Sequence, residues 1–277
     1  MLRMRIISSV IFFVLLFLGL FQPMLSWVLL LVMTGAALTG VHEYIHLGAE
    51  RPARIYQVLA LTGTVALMVD AYFWYLQHAI GILSAVTVLT MGAGLMIADR
   101  RIQDSCGKCI SALLYVVLPL TLITLIWRKA VLADNDNGQH YLIFLVLVTQ
   151  ASDIGAYFIG RAFGRHKLAP VISPGKSVEG VFGGVFASTL LAVLMKLFWN
   201  NMDHIFGWGE VFALALMLSL IGPVGDLAES WLKRNSGMKD SGRTFTGHGG
   251  MLDIIDSLLF TTIFYYAYLW LFHHNIV

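Results

Sequence analysis

Long apolar runs separated by short polar segments dominate the chain. Nine of these runs approach or exceed the roughly 17–25 residues that a helix needs to cross a bilayer. Backbone that faces lipid must satisfy its hydrogen bonds internally, so runs of this length predict helices. The pattern therefore predicts an all-α fold, a polytopic membrane bundle of about nine transmembrane helices. The predicted spans are 6–21, 27–46, 56–76, 79–98, 110–127, 141–163, 178–199, 208–228 and 255–272.

The composition agrees with a membrane domain. Of the 277 residues, 58% are hydrophobic and 12% are charged, whereas a soluble domain carries about 25% charged residues. This leaves no room for a sizeable soluble domain, and no nucleic-acid partner is expected. Arg3 and Arg5 precede the first run and no Ala-x-Ala cleavage site follows it, so that run is expected to stay as an anchor.

The positions of Lys and Arg predict an orientation. If the N-terminus is cytoplasmic, only Arg128, Lys129 and Lys196 of the 18 basic residues lie outside. Basic residues concentrate on the cytoplasmic side of membrane proteins, so this asymmetry favours nine spans with an external C-terminus. The expected location is the inner membrane of the cell.

The polar segment 225–256 stands between the last two apolar runs. Asp226 and Glu229 are three residues apart, as are Asp253 and Asp256, so each pair falls on one face of a helix. Ionisable groups beside membrane spans are costly and usually functional. Mg²⁺ binds through one or two carboxylates together with phosphate oxygens. The two pairs are therefore a candidate magnesium site, with a second cation left open.

A glycine-rich basic loop joins the two carboxylate pairs. Glycines let a backbone turn sharply and approach a ligand closely, and cationic side chains neutralise phosphates. The loop therefore predicts a polyphosphate ligand. Its basic residues are Lys233, Arg234, Lys239 and Arg243.

This segment resembles the signature of the phosphatidate cytidylyltransferases, also called CDP-diacylglycerol synthases. Two positions depart from that signature: Thr246 stands where Pro or Gly is usual, and Ile254 where Arg is usual. The matching residues are Ser230, Leu232, Lys233, Arg234, Lys239, Asp240, Gly242, Phe245, His248, Gly249, Gly250, Met251, Asp253, Ile255 and Asp256.

Two further segments resemble the same family. Span six carries Asp153 followed by small residues and Tyr157. The loop after it contains Ser173, Pro174, a glycine, Lys176 and Ser177, followed by an acidic residue and more glycines. The resemblance is strong over residues 150 to 260. It divides the membrane domain into N-terminal helices, 1–140, and a C-terminal catalytic region with cytoplasmic loops, 141–277.

The resemblance implies the reaction of phosphatidate with CTP to form CDP-diacylglycerol and pyrophosphate, with the lipid entering from the inner leaflet. It implies Mg²⁺ at Asp226, Glu229, Asp253 and Asp256. A homodimer is one arrangement it allows. The residues assigned to catalysis are Lys176, Lys233, Lys239, Asp240 and His248, and those assigned to substrate binding are Asp153, Ser173, Arg234, Arg243, Gly249 and Gly250.

Three alternatives stay open at this point. A CTP-dependent lipid kinase shares part of the motif logic, and Ile254 raises an inactive paralogue. The third is a membrane zinc protease, because His42, Glu43 and His46 form an HExxH motif, in which two histidines bind zinc and the glutamate is the general base. The family offers another account of Glu43, since many members carry a Glu at the end of the second span.

Two other features are left out of the predicted site. Cys106 and Cys109 form a single CxxC, and a structural zinc site would need four ligands. Asp70 lies in the third span, toward the outer side in the predicted orientation.

Overall fold

The computed structural model of the protein describes residues 26–48, 53–97, 102–132, 138–199, 202–238, 241–242 and 250–273. Within these residues, eight helices are long and apolar enough to cross a membrane. Each corresponds to one of the predicted spans, while the predicted span 6–21 lies outside the described residues. The predicted fold class, an all-α membrane bundle of about nine helices, is confirmed.

The helices of the N-terminal half follow one another with short connections. They are α1 (Ser26–Ile45), α2 (Arg54–Trp74), α3 (Ala79–Met96), α4 (Ile102–Ala112) and α5 (Leu118–Leu132), with a π-helical turn, Leu113–Val117, between the last two. The later helices are α6 (Gly138–Phe163), α7 (Val178–Phe198), α8 (Met202–Ile205), α9 (Trp208–Asn235) and α10 (Leu252–Phe272).

The chain forms two compact units. The first contains the described residues up to Arg128 together with those between Asn235 and Ile254. The second contains the described residues from Lys129 to Arg234 and from Ile255 onward. The segment 235–254, which holds much of the signature, thus belongs to the same unit as the N-terminal helices.

A tight turn joins α2 and α3 in the first unit. Tyr75 and Leu76 adopt left-handed conformations, with φ of 54° and 62°. The buried Asp70 supports this turn: Oδ2 accepts a hydrogen bond from the backbone N–H of His78 at 3.1 Å, and Oδ1 lies 2.7 Å from Nδ1 of the same residue. Asp70 therefore has a structural role in the turn.

In the second unit, α6 and α7 pack with their backbones close together. A Cβ placed on Gly155 would meet the carbonyl oxygen of Gly183 and the Cβ of Ala187, each at 2.5 Å. Small residues at helix contacts let membrane helices approach closely. Asp153 of α6 lies in this second unit, and the other helices of the unit carry further polar side chains.

A short β-hairpin connects α6 and α7. Its strands, β1 (Lys167–Ala169) and β2 (Ser173–Ser177), are antiparallel, with Lys167 opposite Ser177 and Ala169 opposite Ser173. The hairpin was not predicted, because strands of three and five residues are too short for a period-2 pattern to show.

The hairpin is fixed at its base by the first turn of α7. Ser177 caps this helix, its Oγ accepting a hydrogen bond from the backbone N–H of Gly180 at 3.1 Å. The Glu179 carboxylate accepts hydrogen bonds from the backbone N–H groups of Arg165 and His166, at 3.1 and 3.2 Å. These contacts hold the strand that carries Lys176.

Lys196 shows how an apolar helix accommodates a charge. It is only 5% exposed, and its ammonium donates hydrogen bonds to the carbonyl oxygens of Met202 at 3.1 Å and Phe206 at 2.6 Å. The short helix α8 and the residue that follows it thus supply backbone acceptors at the end of α7.

Candidate active site

Three carboxylates of the second unit converge. Asp226 and Glu229 lie in α9, Asp256 lies in α10, and one oxygen of each lies within 4.8 Å of the others. Glu229 is fully buried and Asp256 is 9% exposed, whereas the Asp226 side chain is partly exposed. Three of the four residues predicted as metal ligands are therefore brought together by the fold.

A close approach of α9 and α10 makes this convergence possible. A Cβ on Gly225 would meet the carbonyl oxygen of Asp256 at 2.6 Å and the Cα of Ser257 at 3.2 Å. A side chain at position 225 would therefore separate the two backbones. Because Gly225 directly precedes Asp226, the contact lies beside the carboxylates.

Pro223 interrupts the hydrogen-bonding pattern of α9 one turn before the cluster. Proline has no N–H, so the carbonyl of Ser219 loses its usual helical donor. The Oγ of Ser152 lies 3.5 Å from this carbonyl oxygen and donates to it. A hydroxyl from α6 thus replaces the missing backbone donor.

Lys176 reaches the same part of α9 from strand β2. Its ammonium lies 2.8 Å from Oδ2 of Asp226 and donates a hydrogen bond to the carbonyl oxygen of Pro223 at 3.0 Å. The sequence predicts a phosphate-binding role for this lysine, and the structure places it at the partly exposed side of the carboxylate cluster.

The end of α9 supplies two more cations. Lys233 forms an ion pair with Glu229, one helical turn earlier, and both side chains are largely buried. The Nε of Arg234 donates to the carbonyl oxygen of Ile172 at 3.4 Å, next to the start of β2. Arg234 therefore joins the end of α9 to the hairpin that carries Lys176.

Ser257 links Asp153 to the cluster. Its Oγ donates to Oδ2 of Asp153 at 2.8 Å, and its backbone N–H lies 2.6 Å from Oδ1 of the adjacent Asp256. Sequence reasoning missed this serine, because the signature ends at Asp256. Its position directly after a predicted metal ligand was the signal available.

Asp253 makes its described hydrogen bonds within the first unit. Its Oδ2 accepts from the backbone N–H of Ser241 at 3.2 Å, from the Oγ of Ser241 at 2.8 Å, and from the backbone N–H of Gly250 at 2.8 Å. Asp253 thus joins the two ends of the segment 243–249. Its metal-binding role stays a prediction, as does the substrate-binding role of Gly250.

Six further residues were predicted to belong to the site, and the structure describes one of them. Ser173 opens β2 opposite Ala169, and its substrate-binding role stays a prediction. The others lie outside the described residues; they are Lys239, Asp240, Arg243, His248 and Gly249.

The HExxH residues have ordinary structural partners. The Nδ1 of His46 lies 2.6 Å from the carbonyl oxygen of His42, and the Glu43 carboxylate accepts backbone hydrogen bonds. In the described part of the chain, the one group of three or more residues arranged to hold a metal ion is the carboxylate cluster. Cys106 and Cys109 are buried core residues.

Comparison with known proteins decides the family. The family model described as "Cytidylyltransferase family" matches residues 3–272. The chain belongs to the cytidylyltransferase family.

Three similar proteins from staphylococci are named phosphatidate cytidylyltransferase. The phosphatidate cytidylyltransferase of Staphylococcus saprophyticus is 31% identical over 226 residues, which cover 81% of this chain and 83% of the relative. Proteins of the same name from Staphylococcus epidermidis and Staphylococcus aureus are 44% identical over 126 residues, or 46% of this chain. The alignments with these two cover 47% of each relative's length.

These findings confirm the family prediction. The chain is a nucleotidyltransferase of a CTP-using family and carries multiple membrane-spanning helices. Nothing in the comparisons favours a lipid kinase, a zinc protease or an inactive paralogue.

Proposed function

We propose that this membrane cytidylyltransferase transfers the cytidylyl group of CTP to phosphatidate, forming CDP-diacylglycerol and releasing pyrophosphate. The observation that carries the proposal is the carboxylate cluster of Asp226, Glu229 and Asp256 with Lys176 and Lys233 beside it. A site that binds a nucleoside triphosphate needs carboxylates for a divalent cation and ammonium groups for the phosphates, and this cluster offers both. The names of the relatives support the same substrates.

We propose that the cluster holds Mg²⁺. Three carboxylates with oxygens within 4.8 Å of one another repel each other in a largely buried setting, and a divalent cation between them would relieve that repulsion. Carboxylate oxygens are the protein ligands that Mg²⁺ prefers, usually few in number and completed by water and phosphate. Asp226, Glu229 and Asp256 would hold the ion, which would draw negative charge from the phosphates of CTP.

The protein's own groups then position and neutralise the reactants. A phosphatidate oxygen attacks the α-phosphorus of CTP, and pyrophosphate leaves from the opposite side. The attacking oxygen is already anionic, so the site needs no strong general base, and catalysis rests on positioning and charge neutralisation. Lys176 carries three donors and uses two of them on Asp226 and Pro223. It can therefore turn toward a phosphate without leaving the cluster.

We propose that the protein lies in the inner membrane of the cell. Its active site faces the cytoplasm, where CTP is made. The acyl chains of phosphatidate stay in the bilayer, so the lipid reaches the site laterally from the inner leaflet. The cluster, Lys176 and Lys233 all come from one chain, so a homodimer would contain two such sites.

The proposed orientation makes a prediction for fusion proteins. A reporter that is active only outside the cytoplasm should be active when fused after Val277, because an odd number of spans puts the C-terminus outside. The same reporter fused after Lys239 should be inactive. The reverse pattern would contradict both the topology and the cytoplasmic site.

The position of the label in CTP tests the reaction itself. Purified protein is incubated with phosphatidate, Mg²⁺ and CTP labelled with ³²P at either the α- or the γ-phosphorus, and the lipid is extracted. We expect label in the lipid only from α-labelled CTP, with pyrophosphate as the second product. Lipid labelled from γ-labelled CTP, with diacylglycerol or dolichol as acceptor, would instead identify a CTP-dependent kinase.

Ile254, which replaces the usual arginine, is expected to mark a tuned site and not a dead one. Ile254 is 40% exposed, so Ile254→Arg does not bury the new charge in the protein interior. A charge-assisted contact contributes about 1.5–3 kcal/mol, and we expect CDP-lipid formation to rise modestly, by up to about tenfold if part of that contact is made in the transition state.

Ile254→Gln is the matched control for Ile254→Arg, because it adds polarity and length without a charge. The two variants and the wild type are assayed side by side for CDP-lipid. A wild type with no detectable activity beside a fully active Ile254→Arg would show that the natural protein is a disabled paralogue and would overturn the enzymatic proposal.

A further inference from the structure

Glu43, at the end of α1, is a buried carboxylate with well-defined partners in the signature segment. It is 4% exposed. Its Oε1 accepts a hydrogen bond from the backbone N–H of Met251 at 3.0 Å, and Oε2 accepts one from that of Leu252 at 2.9 Å. The Oγ of Ser241, which donates its proton to Asp253, lies 3.4 Å from Oε2. One side chain therefore contacts residues on both sides of the segment 243–249.

Two signature glycines make room for this carboxylate. A Cβ on Gly242 would lie 2.6 Å from Oε1 and 2.8 Å from Cδ of Glu43. A Cβ on Gly250 would collide with the same carboxyl group, 2.7 Å from its Cδ. Both ends of the segment therefore press against Glu43, which gives a steric reason for glycine at positions 242 and 250.

The hydrogen bonds of Glu43 also cap the N-terminus of α10. Met251 and Leu252 stand at the beginning of this helix, where the first backbone N–H groups have no partner within the helix. A carboxylate at a helix N-terminus satisfies those donors and interacts favourably with the helix dipole. Glu43 takes this capping position from a different helix, 208 residues before Met251 in the chain.

Asp253 also binds the backbone on both sides of the segment 243–249. It accepts the backbone N–H groups of Ser241 and Gly250, while Glu43 accepts those of Met251 and Leu252. Ser241 Oγ lies within hydrogen-bonding distance of both carboxylates. The two acidic side chains thus fix the two ends of the segment next to one another.

We propose that Glu43 is a positioning residue for CTP binding. Its carboxylate fixes the backbone N–H groups of Met251 and Leu252. These residues directly follow Gly250, which the sequence assigns to substrate binding, so Glu43 holds that glycine in place for the nucleotide. This inference rests on the proposed function. It assigns the glutamate of the HExxH motif to backbone hydrogen bonding, a role in which it serves no zinc ion as general base.

Glu43→Gln is the variant that tests the role most directly. Glutamine has the same shape, but its amide group carries one acceptor and one donor, so one of the two backbone N–H groups at Met251 and Leu252 must face an NH₂ group. We expect the Kd for CTP and the KM for CTP to rise about tenfold, the effect of losing one charge-assisted hydrogen bond. The KM for phosphatidate should stay unchanged.

Ser241→Ala is the second variant, since it removes a hydroxyl from the contact without leaving a buried charge unpaired. We expect a smaller rise in the Kd for CTP, about threefold, as for a neutral hydrogen bond. In the double variant the two effects should not add, because both act on one contact.

Asp70→Asn is the matched control. Asp70 is likewise a buried carboxylate of the first unit that accepts a backbone N–H at a turn, but it supports the turn between α2 and α3. This substitution is expected to lower Tm as Glu43→Gln does while leaving the Kd for CTP at the wild-type value.

CTP binding is measured by equilibrium dialysis, and turnover is measured separately with phosphatidate. Failure of the wild type to form CDP-lipid while it binds CTP would count against the proposed function, and the Kd values would still test Glu43. A wild-type Kd for CTP in both Glu43→Gln and Ser241→Ala would overturn the inference. So would a rise in Kd of the same size in Asp70→Asn, because the effect would then follow stability alone. If Glu43→Gln does not fold, the Ser241→Ala and Asp70→Asn values decide.

Discussion

Asp256→Asn is expected to lower turnover about a thousandfold or more while the protein stays folded. Asparagine keeps the shape of the side chain but removes one negative charge and one strong ligand from the cluster with Asp226 and Glu229. A metal ion stabilises transition-state charge by several kcal/mol, and each 1.36 kcal/mol corresponds to about tenfold in rate. Asp226→Asn should have the same effect, with a further contribution from loss of the ion pair with Lys176.

The control for these variants is Asp104→Asn, which changes an exposed carboxylate near the start of α4. It should keep wild-type turnover. Chelation with EDTA should abolish activity in the wild type, and Mg²⁺ should restore it. Near-wild-type turnover in both Asp226→Asn and Asp256→Asn would place the site elsewhere in the chain.

The same assay separates two roles for Asp253. As a metal ligand it would behave like Asp256, with a large loss of kcat. Its described hydrogen bonds to Ser241 and Gly250 favour a positioning role, in which Asp253→Asn would mainly raise the KM for CTP. The split between kcat and KM therefore distinguishes the two roles.

Gly225→Ala is expected to cause the second-largest loss. The new methyl group would lie 2.6 Å from the backbone carbonyl of Asp256 and 3.2 Å from the Cβ of Phe260. Backbone atoms cannot move aside as a flexible side chain can, so α9 and α10 must separate. Overpacking of this kind costs about 1–3 kcal/mol of stability, and a shift of about 1 Å at a catalytic centre can lower the rate a hundredfold.

Gly209→Ala in the same helix is the matched control, because a Cβ at that position would meet no atom within 4 Å beyond its chain neighbours and the adjacent helix backbone. Gly209 is the second residue of α9, where the preference of a helix for alanine over glycine has little effect, so this variant should be about as stable as the wild type. Turnover should remain unchanged. Equal Tm and activity for Gly225→Ala and Gly209→Ala would contradict the close approach of α9 and α10.

The sequence predicts the membrane architecture well because hydrophobic run length is a strong signal. Each predicted span within the described residues corresponds to a helix, and even the nearly absent loop after Trp74 is explained by two left-handed residues. The hairpin at 167–177 was missed because its strands are short and polar. The partner of Lys196 was also unpredictable, because its acceptors are backbone carbonyls beyond the end of its own helix.

The site was predictable only in part. The spacing of Asp226 and Glu229 indicated one helix face, and the position of Asp256 in the signature indicated the same site. Single hydroxyl groups carry no such pattern, so the links made by Ser257 and Ser241 required coordinates. The pairing of Lys233 with Glu229 follows i,i+4 spacing, whereas the pairing of Lys176 with Asp226 depends on how the hairpin folds.

The central claim is that Asp226, Glu229 and Asp256 hold the divalent cation on which cytidylyl transfer depends. Mn²⁺ is a suitable probe, because it accepts the same oxygen ligands as Mg²⁺ and its bound fraction can be measured by EPR. With CTP present, the wild type should bind Mn²⁺ in competition with Mg²⁺, and the variant carrying both Asp226→Asn and Asp256→Asn should lose that binding while remaining folded. Equal Mn²⁺ binding by the wild type and this double variant would contradict the account.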